Sequence, residues 1–454
     1  MSITKTPPQT DNHKDDDNVE RVVSLLPFEV SIPIMHEQFS TASLTWYQLD
    51  KGQTLEDVAT STQNRLTAML EANPWLGGRI KTRKGAAAIV YTPAQSKQQA
   101  DRILQVYTTK EMGGLSMETP YPKASALLQK TVVPLTYFWL WGRDAPFFRV
   151  ALVPDSKDAT KFALITSLAH CVGDGKTYYN LHNMMAHNTP IVALNIDRKE
   201  HLHHAMVKSM GGPNFFGCYC YPTLGMLVRI VRSVVLAFVV GPRTVVKLCH
   251  VNPQWIQEQK KLGLVSNSSE YKPNFLSSND VMASSFLKIV GCDQAFMTVN
   301  FRGKIPDCHE HDAGNYYNFN PLRWADFGTP VGVRKVVDQL KLGQRHPTTQ
   351  PLTSWGHFVA SLSTPLAFFT NWADFQRPVP LQQCQQLLHM PLVPTHSFKM
   401  PARLFSICYV FKPTKECDKL GVLVSATPKA MQALEATGMM GPELLQQTAV
   451  ESLQ

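Results

Sequence analysis

The stretch SLAHCVGDGKTYYNL, residues 167–181, raises the question on which the interpretation of this sequence depends. Asp174 follows His170 by four residues, and Gly173 and Gly175 flank the aspartate. A histidine, with an unperturbed pKa of about 6.5, can accept and return a proton near neutral pH. Asp174 could hold the loop or the imidazole in place, and the two glycines allow backbone conformations that a Cβ would resist. The same residues also fit an ordinary turn, in which Asp174 caps a helix and Gly173 and Gly175 are common turn residues. A catalytic histidine and a plain connection are both open at this point.

The residues around this motif predict a strand, a turn and a helix in that order. Two β-rich runs, 147–154 and 161–170, are joined by the polar turn DSKDAT, which is typical of a β-hairpin. Apolar residues then recur at helical spacing in KTYYNLHNMMAH, residues 176–187. We therefore expect His170 where the chain leaves a strand.

Strands and helices alternate in both halves of the chain. A strand is predicted at 43–49, followed by an amphipathic helix that Thr54 and Asp57 cap and Asn73-Pro74 ends. The elements predicted in the second half are a helix capped by Ser278 or Asn279, a strand within 294–306, a strand pair near 404–411 and 419–427, and a final helix at 428–436. This mixture predicts an α/β (α+β) fold.

The length of 454 residues exceeds what one hydrophobic core usually organises, and 44% hydrophobic with 17% charged residues is typical of a globular chain. We therefore expect two domains of similar size. The predicted divisions are a disordered leader at 1–20, an N-terminal domain with the histidine motif at 21–200, a crossover with a hydrophobic segment at 201–275, and a C-terminal domain at 276–454.

The net charge of +9 is compatible with an anionic ligand, a membrane surface or nucleic acid. No run of five basic residues occurs, which argues against nucleic acid. The N-terminal residues 1–20 are polar and contain no apolar core like that of a signal peptide, which favours a cytoplasmic location. Nine cysteines are an odd number scattered over the sequence, which favours reduced thiols over a disulfide framework. The apolar segment 224–240 is shorter than the ~20 residues of a membrane span and contains Arg229 and Arg232. We expect a buried helix or pocket wall there, with peripheral membrane association as the alternative.

An ordered set of segments resembles the coenzyme A-dependent acyltransferase superfamily, and within it the BAHD-type transferases of secondary metabolism. AHCVGDG matches the family's H-x-x-x-D-G signature. The other matching segments are LEANPWLGGRI (70–80), SSNDVMASSF (277–286), VNFRGKIP (299–306), GNYYNF (314–319) and TNW (370–372). The resemblance implies a two-domain chloramphenicol acetyltransferase-like fold, with mixed β-sheets flanked by helices and a channel between the domains.

The resemblance also implies a role for each matching residue. His170 would be the general base that deprotonates a hydroxyl or amine acceptor. Asp174 would turn away from the channel and pair with Arg302 in a structural role. Thr370 and Trp372 are the candidates for orienting the oxyanion. Acyl-CoA would serve as co-substrate for the acylation of a small-molecule alcohol or amine, so no bound cofactor is expected. The protein is expected to be a monomer.

A departure from the family pattern and the apolar segment 224–240 each leave one alternative open. The family's Asp-Phe-Gly-Trp-Gly segment is missing after TNW, where NWADFQRPVPLQQC stands instead. A catalytically inactive relative that binds a small molecule or protein is therefore one alternative. A membrane-associated lipid or wax-type acyltransferase is the other, because of the segment 224–240.

Two clusters of potential metal ligands give a weaker indication. HLHH (201–204) and CHEHD (308–312) have no second ligand pair at zinc-finger spacing. We interpret both as exposed loops and predict no metal site.

Overall fold

The computed structural model describes residues 17–26, 29–30, 40–133, 144–210, 212, 244–267, 269–292, 294–341, 366–393, 405–414 and 419–445. The hydrophobic segment 224–240 and most of the predicted leader lie outside these residues. In the described part of the chain, no helix is both long and apolar enough to span a membrane.

The described strands form three sheets. A small sheet has the order β1-β4-β3, a five-stranded sheet the order β12-β2-β7-β6-β5, and a seven-stranded sheet the order β10-β9-β11-β13-β14-β8-β15. Their bounds are β1 Arg21–Ser24, β2 Thr41–Leu49, β3 Arg79–Arg83, β4 Ala86–Tyr91, β5 Leu104–Val106, β6 Phe148–Pro154, β7 Lys161–Leu168, β8 Val245–Val251, β9 Gln294–Asn300, β10 Tyr317–Arg323, β11 Leu366–Asn371, β12 Cys384–Pro391, β13 Phe405–Phe411, β14 Gly421–Ala426 and β15 Met440–Glu443.

Helices cover these sheets, which confirms the mixed α/β architecture. The helices are α1 Leu55–Ala72, α2 Pro93–Ser96, α3 Ala100–Ile103, α4 Tyr121–Leu128, α5 Gly175–Asn183, α6 Glu200–Ser209, α7 Pro253–Val265, α8 Ser278–Ile289, α9 Trp324–Phe327, α10 Pro330–Lys341 and α11 Pro428–Ala436. The apolar residues of α8 pack against one face of the seven-stranded sheet, in a core that is separate from the core between the five-stranded sheet and helices α1 and α5. A third core contains buried residues of both sheets.

Local capping chemistry sets the helix starts. Thr54 caps α1 and exchanges hydrogen bonds with Asp57, as predicted. For α8 the prediction was wrong by one residue, because the N-cap is Ser277. Its hydroxyl accepts from the backbone N–H of Asp280, and the Asp280 carboxylate accepts from the backbone N–H of Ser277. This reciprocal pair fixes the first turn of the helix.

The crossover predicted at 201–275 contains more regular structure than its composition indicated. Its described part includes α6, β8 and α7, and β8 lies between β14 and β15 inside the seven-stranded sheet. The strand is hard to recognise in the sequence because its VVKLCHV follows directly on a longer apolar run. Apolar periodicity alone does not show where that run ends and where the strand begins.

Strand β12 crosses from the second half of the sequence into the first half's sheet. It pairs antiparallel with β2, from Cys384 opposite Leu49 to Pro391 opposite Ser43. The five-stranded sheet therefore contains strands from both sides of the domain boundary predicted at residue 276. The pairing ties the two halves together beside the hairpin β6–β7, because β2 also pairs with β7.

Candidate active site

His170 lies in the turn between β7 and α5, where the sequence places it. β6 and β7 form the predicted antiparallel hairpin, with Phe148 opposite Leu168 at the end that leads into the motif. The backbone N–H of Ala169 donates to the Phe147 carbonyl at 2.8 Å, which extends the pairing to the residue before the histidine. The hairpin thus fixes the position of His170, whose side chain is half-buried.

Asp174 caps a helix and also forms an ion pair with Arg302. Its Oδ1 accepts from the backbone N–H of Thr177 at 2.9 Å and caps α5. Its Oδ2 accepts from Arg302 Nη1 at 2.8 Å and from the backbone N–H of Tyr316 at 3.0 Å. The buried carboxylate therefore fixes the start of the helix and, at the same time, binds a loop from the second half of the chain.

Arg302 is the cation that neutralises this carboxylate. It is buried, and each of its nitrogens donates a hydrogen bond, as a buried guanidinium requires. Besides Asp174, the acceptors are Asn300 Oδ1 (3.0 Å), Thr177 Oγ1 (2.9 Å), the Gly314 carbonyl (3.0 Å) and the Asp312 carbonyl (2.8 Å). The ion pair that the resemblance implied is thus present, and Arg302 joins the motif to the loop 312–316.

The two glycines of the motif serve packing and not backbone conformation. Neither Gly173 nor Gly175 has a positive φ, so the prediction that they permit special dihedral angles was wrong. A Cβ on Gly173 would stand 2.6 Å from Thr177 Cγ2, whereas one on Gly175 would stand 3.4 Å from Trp372 Nε1. Helix α5 therefore leaves no room for a side chain at position 173, whereas a methyl group at position 175 would meet the Trp372 indole at an ordinary contact distance.

Alanine at position 173 should lower the free energy of unfolding by about 1–3 kcal/mol, because the added methyl overpacks a filled site. Denaturant unfolding of the Gly173→Ala variant measures this loss. Gly175→Ala is the matched control, because its methyl would make only an ordinary contact and should change the stability by less than about 1 kcal/mol. Equal losses in the two variants would contradict the packing explanation.

Thr370 and Trp372 lie at the end of β11 and just after it. The Trp372 backbone N–H donates to the Val410 carbonyl at 2.8 Å, and its ring meets those of Tyr179 and Tyr409 edge to face at centroid distances of 5.8 and 5.0 Å. Thr370 Oγ1 accepts from Thr298 Oγ1 at 2.8 Å. The structure therefore brings Trp372 against the motif at Gly175, whereas the Thr370 hydroxyl is bound to a neighbouring strand.

Opposing effects set the pKa of His170. Burial lowers the pKa below its ordinary value, and this effect is the largest. An interaction with the residue's own backbone carbonyl, the negative charge of Asp174, the side chain of Asn315 and the charge of Glu29 each raise it. Because the pKa is lowered on balance, the imidazole is neutral near pH 7 and can accept a proton.

Sequence reasoning missed three residues around the imidazole. The Tyr317 ring lies 5.6 Å from the His170 ring, and Asn315 Nδ2 donates to the His170 carbonyl at 2.9 Å. Both belong to the GNYYNF segment, which the resemblance marked without giving a role to either. Glu29, which binds Asn315, stands in a stretch without any recognisable motif.

The two possible metal motifs are not exposed loops throughout. HLHH lies on helix α6, and Cys308 and Asp312 at the ends of CHEHD are buried. Lys199 Nζ and Asn195 Nδ2 donate to the Asp312 carboxylate at 2.7 and 2.9 Å. Among the described residues, no three His, Cys, Asp or Glu side chains converge as a metal site would require.

Comparison with known proteins gives the fold. No family model matches the sequence, and no curated protein is significantly similar to it. The solved structure of F. sporotrichioides TRI101 complexed with coenzyme A and T-2 matches with a TM-score of 0.60 at 12% identity, covering 91% of this chain and 97% of that one. Vinorine synthase matches with a TM-score of 0.52 at 11% identity, covering 94% and 98%. Polyketide synthase associated protein 5 from Mycobacterium tuberculosis matches with 0.51 at 12% identity, covering 92% and 96%. The chain therefore has the mixed α/β, chloramphenicol acetyltransferase-like fold that these three proteins share.

Proposed function

We propose that this protein transfers an acyl group from acyl-CoA to a hydroxyl or amine of a small-molecule acceptor, with His170 as the general base. The observation that carries the proposal is the half-buried imidazole at the end of β7, whose pKa is lowered by burial. The fold supports it, because the TRI101 structure of the same fold was solved with coenzyme A. The two substrates would reach His170 from opposite faces of a channel between the domains.

The reaction needs a base but no covalent enzyme intermediate. Neutral His170 takes the proton from the acceptor O–H or N–H while the oxygen or nitrogen attacks the thioester carbonyl. The new C–O or C–N bond gives a tetrahedral intermediate that carries an oxyanion. Collapse of this intermediate breaks the C–S bond, and the departing coenzyme A thiolate takes the proton from the imidazolium. The base is restored and no proton is left over.

Other side chains around His170 would position the base and stabilise the oxyanion. The Asp174 carboxylate is occupied by Thr177, Arg302 and Tyr316, so its role is structural. The Trp372 indole N–H is our first candidate for stabilising the oxyanion, because it lies against the motif at Gly175. Thr370 is the second candidate, because its hydroxyl accepts a hydrogen bond from Thr298 and keeps its own O–H to donate to an oxyanion.

The function is tested with purified protein, a panel of acyl-CoA thioesters and pooled small-molecule alcohols and amines. We expect release of free coenzyme A together with a product whose mass has increased by the acyl group. Binding of coenzyme A without any release would support the inactive binding relative. Pelleting with lipid vesicles that persists at high salt, combined with acylation of a lipid alcohol, would support the membrane-associated alternative.

We also propose that the protein is cytoplasmic and monomeric. The six described cysteines are all free thiols, in keeping with a reducing compartment.

The acidic limb of the pH profile should lie below the pKa of a free histidine, about 6.5. A general base acts only when it is unprotonated, and the lowered pKa of His170 moves its protonation to lower pH. Activity should therefore persist as the pH falls through about 6.5 and be lost only at more acidic values. The measurement is kcat/KM from coenzyme A release between about pH 4 and 8. A limb at or above about 6.5 would contradict the assignment.

A further inference from the structure

Four aromatic residues follow one another from His170 across one face of the seven-stranded sheet. The Tyr317 ring, whose centroid lies 5.6 Å from that of the imidazole, meets the Phe319 ring edge to face at 5.4 Å. Phe319 meets Phe296 at 6.1 Å and Phe368 at 5.5 Å, again edge to face. Phe296 and Phe368 are stacked at 5.1 Å. These four residues, Phe296, Tyr317, Phe319 and Phe368, are called the aromatic wall below.

The register of strands β9, β10 and β11 explains why these rings lie side by side. Phe319 of β10 is opposite Thr298 of β9, and Phe368 of β11 is beside Phe296 of β9. Because side chains alternate between the two faces of a strand, Thr298 shares a face with Phe296, and Thr370 shares it with Phe368. The two threonines are hydrogen-bonded to each other. The rings and the threonines therefore form one continuous surface.

This surface lies outside the hydrophobic cores. On the side of β13 and β14, the same face of the sheet is covered by the five-stranded sheet, and Phe411 and Leu423 lie there in one core with Leu44. On the side of β9, β10 and β11, no member of the aromatic wall belongs to any core formed by the described residues. Tyr317 and Phe319 are half-buried. Rings next to the proposed base are thus placed to contact a bound molecule.

The spacing along β11 indicates the size of the group that would lie on the aromatic wall. Phe368, Thr370 and Trp372 alternate onto the same face, and Trp372 lies against the motif at Gly175. A strand advances about 6.6 Å every two residues, which puts Thr370 roughly 7 Å and Phe368 roughly 13 Å from the position of Trp372. A group that starts at the reacting carbon and reaches the middle of the wall is therefore larger than an acetyl group.

The chemistry of the aromatic wall indicates which kind of group fits. On this face of β9, β10 and β11, the described residues include one charged side chain, Arg323, at the end of β10 away from His170. A charged group would lose its hydration on these rings without gaining a partner. Rigid rings favour a planar ring over a flexible chain, because stacked and edge-to-face contacts add to the burial of apolar area.

We propose that the aromatic wall is an apolar subsite that binds an uncharged, planar ring group of one of the two substrates. The ring group belongs either to the acceptor or to the acyl chain, since both would meet beside His170. This inference rests on the proposed function and deepens it, because it names the chemical class of a substrate.

Binding is tested first, without turnover. The probe is N-phenyl-1-naphthylamine, a dye that is uncharged near neutral pH and fluoresces more strongly in apolar surroundings. We expect it to bind the unchanged protein and to be displaced by 3-phenyl-1-propanol. In Phe319→Ala, its affinity should fall about tenfold, because the ring that contacts the other three members of the wall is removed. Phe319→Leu keeps most of the apolar volume and should lose about threefold, which provides the test if F319A does not fold.

Phe275→Ala is the matched control for the binding test. Phe275 is 56% exposed and lies over the guanidinium of Arg334 on α10. Helix α10 packs in the core on the opposite face of the seven-stranded sheet. F275A therefore removes the same ring from a surface away from the wall and should leave the dye affinity unchanged. An equal loss in F275A and F319A would mean that the dye binds without a specific site, and would overturn the inference.

Turnover then identifies the substrate that carries the ring group. If the acceptor carries it, kcat/KM with acetyl-CoA should be about tenfold higher for 3-phenyl-1-propanol than for 1-nonanol, which has the same number of carbons. If the acyl chain carries it, kcat/KM with 1-butanol should be about tenfold higher for 3-phenylpropionyl-CoA than for nonanoyl-CoA. F319A should remove most of the preference in the arm that shows one.

The results separate this inference from the proposed function. Dye binding that F319A or F319L weakens, in a protein that releases no coenzyme A with any substrate, would support the subsite and overturn the acyltransferase proposal. Release of coenzyme A with equal kcat/KM for ring and chain substrates in both arms would overturn the inference and leave the proposed function in place. A dye affinity that is unchanged in the folded Phe319 variants would overturn the inference as well.

Discussion

Replacing His170 by alanine should lower kcat for acyl transfer by about 10²- to 10⁴-fold, the usual contribution of a positioned general base. Without the imidazole, nothing at that place takes the proton from the attacking hydroxyl or amine. The fold should persist, because the hairpin pairing and the Asp174–Arg302 ion pair do not involve the imidazole. The measurement combines coenzyme A release at saturating substrate with thermal unfolding of the variant.

His204→Ala provides the control for this experiment. His204 is an exposed histidine on α6, so its replacement should leave kcat and the unfolding temperature close to those of the unchanged protein. If H170A retained most of the activity, the base would have to be another group. If H170A unfolded, the loss of activity would say nothing about catalysis, and the acidic limb of the pH profile of the unchanged protein would have to decide.

Replacing Arg302 by methionine should lower the free energy of unfolding by about 3–5 kcal/mol, the usual cost of leaving a buried charge without its partner. The Asp174 carboxylate would remain in the interior, and the loop 312–316 would lose its link to the motif. Guanidinium or thermal unfolding measures the loss. Activity should fall as well, because the turn that carries His170 would lose its main support.

Arg83→Met is the matched control, because Arg83 forms an ion pair of the same 2.8 Å length with Glu20 at the surface. Solvent screens such a pair, so its loss should cost no more than about 1 kcal/mol. A stability loss in R302M as small as that in R83M would mean that Asp174 finds another partner or becomes protonated. The structural role of the pair would then be wrong.

Local chemistry was enough to predict the frame of the site. The hairpin, the turn with His170 and the start of α5 follow from alternating apolar residues and from an aspartate at the N-cap position ahead of a helix. The capping box of α1 was also predicted correctly from its sequence, whereas the N-cap of α8 lies one residue earlier than predicted. In each case the interacting residues are near one another in the sequence.

Contacts between distant residues could not be predicted in this way. Glu29 and Asn315 are separated by 286 positions, and nothing in the sequence near either one indicates the other. The pairing of β12 with β2 could not be predicted either, because the residue pattern of a strand does not specify the strand with which it pairs. The contact of Gly175 with Trp372 was missed for the same reason, whereas Gly173 and Thr177 are neighbours within one turn of helix and their contact could have been recognised locally. The pairing of Asp174 with Arg302 came only from the resemblance.

The position of β12 has a consequence for dividing this protein. A fragment ending near residue 275 would lack β12, and the N–H and C=O groups of β2 on that side would be left open. Nearly every residue of β2 is buried in the intact chain, so the fragment would expose a strand of nine residues that is normally covered, with its backbone groups unpaired along one edge. Such an edge invites pairing between copies. The first half should therefore be insoluble when produced alone, and should be recovered in soluble form only when the second half is supplied with it.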